Sequence, residues 1–200
     1  MKLWSGADTL AINDWSGDGK YLLFTRWDTS KPALTGRGLW LLPNALEETG
    51  AHDPVLVQAD ALHGQFGPKI GPAHWIAFDT LDGSARQVFV RTMPDQPART
   101  WQVSQANGNT SRWRADGREL YFVSSGSIVA ADIAAGPSFR SGTLRPLFAA
   151  PVPLGLAASQ YAHGWDVTPD GQRFLTTAAA PDGPARAITV VMNWQSALKP

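Results

Sequence analysis

The stretch that decides the fold is Arg112-Trp113-Arg114-Ala115-Asp116-Gly117-Arg118-Glu119-Leu120-Tyr121-Phe122. It places an aromatic residue, a central Asp-Gly pair and a hydrophobic run close together. Glycine accepts the positive φ of a tight reversal, and aspartate accepts hydrogen bonds from the amides of the turn. The stretch therefore predicts two antiparallel strands joined by a tight turn.

Two near copies of this motif show that the chain is a repeat array. They run from Asp14 to Phe24 (DWSGDGKYLLF) and from Trp165 to Leu175 (WDVTPDGQRFL). The second unit along the chain keeps its strands, although Gly67–Ala73 stands where the Asp-Gly turn should be. The copies recur at an irregular period of about 50 residues, which is typical of four-stranded propeller blades.

These repeats predict an all-β fold, a β-propeller of four-stranded antiparallel blades. About four blades are expected, forming a partial ring, although closed propellers use about 4 to 8 blades. We expect one propeller segment over residues 1–200, with units at approximately 8–60, 61–106, 107–150 and 158–196.

Composition limits the classes of partner. The chain has 200 residues, of which 44% are hydrophobic and 17% charged, as in a soluble globular protein with a core. Seventeen basic residues balance seventeen acidic ones, so we expect neither a nucleic-acid partner nor membrane contact from this segment. The absence of cysteine excludes disulfides and thiolate chemistry. We expect no cofactor.

The sequence contains no export signal. No apolar run approaches the roughly 20 residues that span a bilayer, and the residues after Met1 turn polar too soon for a signal peptide. The compartment stays open: we expect an extracytoplasmic or periplasmic location if the segment belongs to a membrane-anchored kinase, and a cytoplasmic one otherwise.

The turn aspartates Asp18, Asp116 and Asp170 have two interpretations, as calcium ligands or as turn caps. Calcium needs six to eight oxygen ligands, and no Asp-x-Asp-x-Asp spacing is present. The capping interpretation is therefore favoured, and no metal site is predicted. Each turn should place its preceding tryptophan in one sheet with the strand that follows, and we interpret the tryptophans as packing between blades.

Candidate chemistry elsewhere is sparse. The four histidines have no metal-binding spacing, so we interpret them as ordinary loop and surface residues: His52, His63, His74 and His163. No Gly-x-Ser-x-Gly motif is present, which disfavours a complete serine hydrolase. No catalytic residue is predicted.

Arg112 and Arg114 are the candidate binding residues. Strand alternation places both arginines on the face opposite Trp113, where they could form an aromatic and basic binding surface. The alternative is that Trp113 lies in the core and that both arginines are solvated, as in most strands of this kind.

A larger set of stretches resembles a known family. It comprises DWSGDGKYLLF, LWLLP (Leu39 to Pro43), WIAFDT, QVFVRTMP, WQVS (Trp101 to Ser104), SRWRADGRELYF, RPLF (Arg145 to Phe148), DVTPDGQRFL and ITVVMNW. The set resembles the TolB-like, WD40-like β-propeller, and its order resembles the C-terminal propeller of bacterial eukaryotic-like serine/threonine protein kinases. In that family the propeller follows a kinase domain and a membrane helix, and the resemblance implies sensing or protein binding.

The chain departs from the full family pattern in two respects. It contains no glycine-rich phosphate loop followed by a strand lysine, and neither His-Arg-Asp nor Asp-Phe-Gly, so no kinase activity is carried over. The family also closes its ring with more blades. We therefore expect a C-terminal piece of a longer protein.

Three hypotheses for function follow. The first is a non-catalytic propeller segment that binds a protein or peptide, within a receptor-like kinase. The second is a hydrolase or lyase with its active site at the central funnel of the ring, or the propeller of a prolyl-oligopeptidase-like enzyme. The residues to test for it are His63, His163 and Asp166. The third is a TolB-like periplasmic adaptor. An incomplete ring would expose strand edges and apolar faces, so self-association of the chain is also expected.

Overall fold

The computed structural model describes residues 8–28, 30–31, 36–45, 53–68, 74–82, 85–135, 138–150, 164–177 and 188–192. All the regular secondary structure in these ranges is β-strand, which confirms the all-β prediction. Two of the four histidines, His52 and His163, lie outside the described residues. Parts of the expected fourth unit do so as well.

The strands form four successive antiparallel sheets. The first contains β1 (Thr9–Trp15), β2 (Tyr21–Trp27), β3 (Arg37–Pro43) and β4 (Val55–Ala59). The second contains β5 (Ala61–Phe66), β6 (Trp75–Asp82), β7 (Ala85–Thr92) and β8 (Thr100–Gln102). The third contains β9 (Asn109–Trp113), β10 (Glu119–Ser124), β11 (Ser127–Ala135) and β12 (Phe139–Ala149). The fourth contains β13 (Trp165–Val167), β14 (Arg173–Thr177) and β15 (Ile188–Met192).

Each sheet is a simple meander in which neighbours along the chain pair side by side. This topology confirms the prediction of propeller blades, and the four sheets are called blades 1 to 4 below. Three blades have four strands, and blade 4 has three strands among the described residues.

The Asp-Gly turns have one geometry in all three copies. The glycines have positive φ: 75° at Gly19, 70° at Gly117 and 73° at Gly171. Each aspartate accepts a hydrogen bond at Oδ1 from the amide two residues later: Lys20 at 3.1 Å, Arg118 at 3.0 Å and Gln172 at 3.0 Å. The aspartates therefore cap the turns, as the sequence predicted.

Blades 2 and 3 each bury one face against the blade before and the other face against the blade after. Between blades 2 and 3, Trp113, Leu120 and Phe122 pack on the second blade. The opposite face of β10 turns the other way, where Tyr121 and Val123 pack with Phe174 of blade 4. Strand alternation thus distributes the hydrophobic run of the opening motif over two blade junctions.

Most described tryptophans pack between blades, as predicted, but Trp15 does not. Trp113 and Trp165 are buried, whereas Trp15 is 44% exposed. The prediction was wrong for Trp15 because it lies on the outward face of blade 1, and no described blade precedes that face.

Candidate functional site

The first element of the site is a repeated polar position on the innermost strand of each blade. Cross-strand pairing places these residues in one register, each opposite a hydrophobic residue of the second strand. They are Asp14, Gln65, Arg112 and Asp166, and we call them the ladder residues.

The ladder residues join successive blades through hydrogen bonds. Asp14 Oδ2 accepts the backbone N–H of Phe66 at 2.8 Å, and Gln65 Oε1 accepts the backbone N–H of Trp113 at 2.9 Å. In both bonds a side chain of one blade holds the inner strand of the next. Blades 1, 2 and 3 are therefore fixed to one another along the inner strands as well as through their apolar cores.

The third junction uses charge instead of a backbone amide. Arg112 Nε donates to Asp166 Oδ1 at 3.1 Å, and only 14% of the Arg112 side chain is exposed. Burial lowers the pKa of Arg112, while the carboxylates of Asp166 and Asp14 act in the opposite direction. Arg112 is thus a partly buried link between blades 3 and 4.

This placement corrects the prediction for the two candidate arginines. Trp113 lies in the core, as the solvated-arginine interpretation required, but Arg112 is not solvated. Arg114 contacts Glu119 Oε2 at 3.1 Å and Asp116 Oδ1 at 3.4 Å, with 31% of its side chain exposed. Both cations already have carboxylate partners within the chain.

The second element is a cavity of about 550 Å³ where the turns of three blades converge. We call it the turn-end cavity. The residues that line it are Asp14–Asp18, Gln65–Pro68, His74, Trp75 and Trp113–Ala115. It therefore lies at one end of the inner strands, next to two ladder residues.

Aromatic side chains form much of the wall of the turn-end cavity. The indole of Trp15 is partly exposed and is fixed by a hydrogen bond from Nε1 to the carbonyl of Gly19 at 3.1 Å. Trp75 and Trp113 are buried, and within the described part of the chain their Nε1 atoms have no hydrogen-bond acceptor. Both nitrogen atoms are inaccessible to solvent, so these two indoles contribute apolar surface to the wall and no accessible donor.

The charged groups of the cavity are mainly acidic. Burial raises the pKa of Asp14, although hydrogen bonds from the Phe66 and Trp15 amides and the charge of Arg112 oppose that shift. A hydrogen bond from the Ser16 hydroxyl, with one from the Lys20 amide, lowers the pKa of Asp18. Since Arg114 is already paired with two carboxylates, the cavity favours a neutral or basic group over an acidic one.

His63 lies in a buried polar cluster rather than on a surface. Its Nδ1 is 2.7 Å from Asp79 Oδ1, and both side chains are almost fully buried. Asp79 also accepts hydrogen bonds from Arg86 at 2.5 Å and from the backbone N–H of Thr110 at 3.1 Å. The prediction of a surface histidine was wrong here because the strand of His63 is covered by the next blade.

Of the three residues of the hydrolase hypothesis, His63 and Asp166 are described, and each is engaged with a different partner. His63 is engaged with Asp79, and Asp166 with Arg112. Within the described ranges, no group of three acidic or histidine side chains could hold a metal ion. The same ranges contain no helix that is long and apolar enough to cross a membrane.

The repeated motif contains the ladder residues, but only the strand pairing in the structure shows that they occupy equivalent positions. In blades 1 and 3 a tryptophan, Trp15 or Trp113, pairs with the third residue after the turn glycine. In blade 4 the residue that pairs with the third residue after the turn glycine is Val167. Trp165 lies two residues earlier and donates from Nε1 to Thr110 Oγ1 at 3.1 Å. Aligning the three tryptophans by sequence therefore hides the equivalence of Asp14, Arg112 and Asp166.

No protein-family model matches the chain, and no curated protein matches it either. Among solved structures, the crystal structure of TolB from Acinetobacter baumannii is similar, with a TM-score of 0.62 at 13% sequence identity. The match covers 96% of this chain and 43% of that chain, so the chain spans less than half the length of its structural neighbour. Similarity at this level of identity concerns the fold, and in fold the chain is a TolB-like β-propeller of four successive blades.

Proposed function

We propose that this chain is a non-catalytic propeller segment that binds a protein or peptide partner in the turn-end cavity. The observation that carries the proposal is a cavity of about 550 Å³ between the turns of three blades, with three tryptophans and two aspartates among the residues of its wall. A peptide offers apolar side chains to the aromatic wall and basic side chains to the carboxylates.

The chemistry of the cavity also defines the peptide. Asp14 and Asp18 add negative charge, while the charge of Arg114 is balanced within the chain. A basic side chain would gain both from these carboxylates and from the exposed indole of Trp15. We therefore propose a peptide segment that presents a basic residue beside an apolar one.

The parent polypeptide belongs to the same proposal. The order of the motifs resembles the propeller of receptor-like serine/threonine kinases, so we propose that this segment is the C-terminal sensor or scaffold part of such a protein. The kinase activity would then reside outside these 200 residues. The structural similarity to TolB supports an alternative of the same kind, a periplasmic adaptor that also acts by binding proteins.

A cavity-blocking variant tests the binding site. A Cβ atom added at Gly17, which lines the cavity, would meet nothing within 4 Å, so Gly17→Trp can add a large side chain at the cavity wall without a clash at Cβ. Peptides would be selected from a random-peptide library on the purified chain, and their affinity measured by fluorescence anisotropy. We expect Gly17→Trp to weaken binding at least about tenfold.

The matched control is Gly142→Trp on the outer strand of blade 3, where an added Cβ atom makes only an ordinary contact with Asp132 at 3.4 Å. This variant should bind the selected peptides like the parent chain. Equal affinity of Gly17→Trp and the parent chain for every selected peptide would overturn the proposed site. A library that yields no binder would count against peptide binding itself.

A further inference from the structure

The end of blade 1 away from its Asp-Gly turn carries a buried cation, Arg37. Arg37 is the first residue of β3 and pairs with Trp27, the last residue of β2, so it lies at the opposite end of the blade from the turn-end cavity. The residue is 8% exposed. Arginine keeps its proton at every physiological pH, so this burial encloses a full positive charge.

No described residue forms a hydrogen bond or an ion pair with the side chain of Arg37. Its Nε atom is inaccessible to solvent and has no acceptor. The two Nη atoms also have no acceptor among the described residues, but they are not enclosed. Because a buried charge without a counter-ion is costly to a fold, the two open Nη donors favour an anion as their partner.

A cleft of about 390 Å³ lies beside this residue, and we call it the Arg37 cleft. The other two cations of its wall already have carboxylate partners. Arg26 Nε is 2.5 Å from Asp8 Oδ2, and Lys31 Nζ is 3.5 Å from Asp28 Oδ2. Among the described residues, Arg37 is therefore the one cation of the cleft without such a partner.

The neighbouring charges limit how much negative charge the cleft accepts. Burial and the charge of Arg86 lower the pKa of Arg37, while Asp60 and Asp79 act in the opposite direction. Asp60 lines the cleft, and its backbone N–H donates to the carbonyl of Arg37 at 2.8 Å, which holds the two residues together. Since Asp28 lines the cleft as well, a doubly charged phosphate would meet two carboxylates, and the cleft favours an anion of single charge.

The wall of the Arg37 cleft also offers apolar surface. Leu56 is 47% exposed, and the indole of Trp40 is half-buried. The two side chains approach each other over Gly38, where an added Cβ atom would lie 3.0 Å from Leu56 Cδ1 and 3.1 Å from Trp40 Nε1. The cleft therefore combines one unbalanced cation with an aromatic and aliphatic wall.

We propose that the Arg37 cleft binds a carboxylate carried by a small apolar group. The planar guanidinium would donate from its Nη atoms to the two carboxylate oxygens, a geometry that arginine favours. Trp40 and Leu56 would contact the apolar group, as in most small-molecule sites. This site does not depend on the turn-end cavity, which lies at the other end of the blade.

An NMR titration of the full 200-residue chain with phenylacetate tests the proposal. The backbone amide signals of Gly36, Gly38 and Asp60 should shift with the concentration of phenylacetate. Phenylacetamide has the same shape without the charge and should leave them unchanged, and inorganic phosphate should bind more weakly. An acetylated peptide that ends in a phenylalanine carboxylate is the second probe. Tighter binding of this peptide would assign the cleft to a peptide C-terminus, and tighter binding of phenylacetate would assign it to a free acid.

Two substitutions should change the affinity in opposite directions. Arg37→Met keeps an apolar stem but removes the charge, and it should weaken phenylacetate binding at least about tenfold. Asp60→Asn removes a competing negative charge at a position with φ 55°, which asparagine tolerates, so binding should become tighter. Arg140→Met, at an exposed residue of β12, is the matched control and should bind like the parent chain.

Denaturant unfolding without the probe separates a binding arginine from a structural one. Arg37→Met should be at least as stable as the parent chain, because the substitution removes no partner. Lower stability with unchanged phenylacetate binding would make Arg37 a structural residue and overturn the proposal. If Arg37→Met does not fold, Asp60→Asn decides, and binding no tighter than in the parent chain would count against the site. A parent chain that binds neither carboxylate probe would also overturn it.

Discussion

Asp14 Oδ2 lies 2.8 Å from the backbone nitrogen of Phe66, and this bond joins the inner strand of the first blade to that of the second. Asp14 also accepts the Trp15 amide, so one carboxylate serves two backbone donors. The bond links residues far apart in the sequence, which makes it a direct measure of blade-to-blade packing.

Asp14→Ala should destabilise the chain by about 1–3 kcal/mol, because it leaves partly buried amides without an acceptor. Chemical denaturation would measure the free energy of unfolding. Asp132→Ala is the control, since Asp132 is a 51% exposed carboxylate on β11, and its loss should cost less than about 1 kcal/mol. Equal effects of the two substitutions would show that the Asp14 bond contributes no more than a surface contact.

Gly171→Ala should be more disruptive than an ordinary glycine substitution. Gly171 has φ +73°, and an added Cβ atom would lie only 2.2 Å from the Tyr121 hydroxyl oxygen. We expect a loss of about 1–3 kcal/mol, because backbone strain adds to the clash with a buried side chain. Gly142→Ala, where the nearest atom would be 3.4 Å away, is the comparison in the same thermal unfolding experiment. A variant as stable as Gly142→Ala would contradict this account of the turn.

Because of Asp79, the free energy of unfolding should fall as the pH becomes acidic. Burial opposes its ionisation, but the charge and hydrogen bond of His63, together with Arg86 and the Thr110 amide, hold its pKa below the usual value. The unfolded chain therefore binds a proton on Asp79 at a higher pH than the folded chain does. The contribution of Asp79 to the free energy of unfolding is complete above the pKa that this carboxyl has in the unfolded chain. It is lost as the pH falls through its pKa in the folded chain.

Asp79→Asn should flatten the fall in unfolding free energy at acid pH, and Asp79→Ala should cost about 3–5 kcal/mol at neutral pH, since Arg86 loses its carboxylate partner. Urea unfolding at a series of pH values would measure both effects. Asp132→Asn, at a carboxylate that is 51% exposed, is the control in the same series. An unchanged slope in Asp79→Asn would contradict the assignment.

Replacing Arg112 should lower the free energy of unfolding more than replacing Arg114. Arg112→Ala removes a partly buried link to Asp166, and we expect a loss of about 1–2 kcal/mol in unfolding free energy. Arg114→Ala removes a more exposed ion pair and should cost less than about 1 kcal/mol. The reverse order in denaturant titrations would indicate that Arg114 is the structural residue.

The sequence predicted the local features of this fold well because they depend on short-range chemistry. The Asp-Gly turns and the hydrophobic strands around Leu22 and Leu120 need only a few consecutive residues. The features that were missed are contacts between blades. The burial of His63 and Arg112, and the exposure of Trp15, depend on which blade covers a strand, and no local pattern specifies that.

The candidate site was harder to predict for the same reason. Its wall combines residues of three blades, and in the sequence Trp75 and Trp113 look like ordinary core tryptophans. Arg112 and Arg114 stood out because they are charged residues beside an aromatic. The structure gives Arg112 a role between blades and leaves only Arg114 in the cavity wall, already paired.

Amide hydrogen exchange of the chain saturated with a selected peptide would test the central claim, that the turn-end cavity is where a partner binds. The account predicts added protection at residues 16–18, at Phe66 and Gly67, and at Arg114, with no change on the outer strand Val55–Ala59. Protection confined to Val55–Ala59 or to other outer strands, with the cavity residues unchanged, would contradict it.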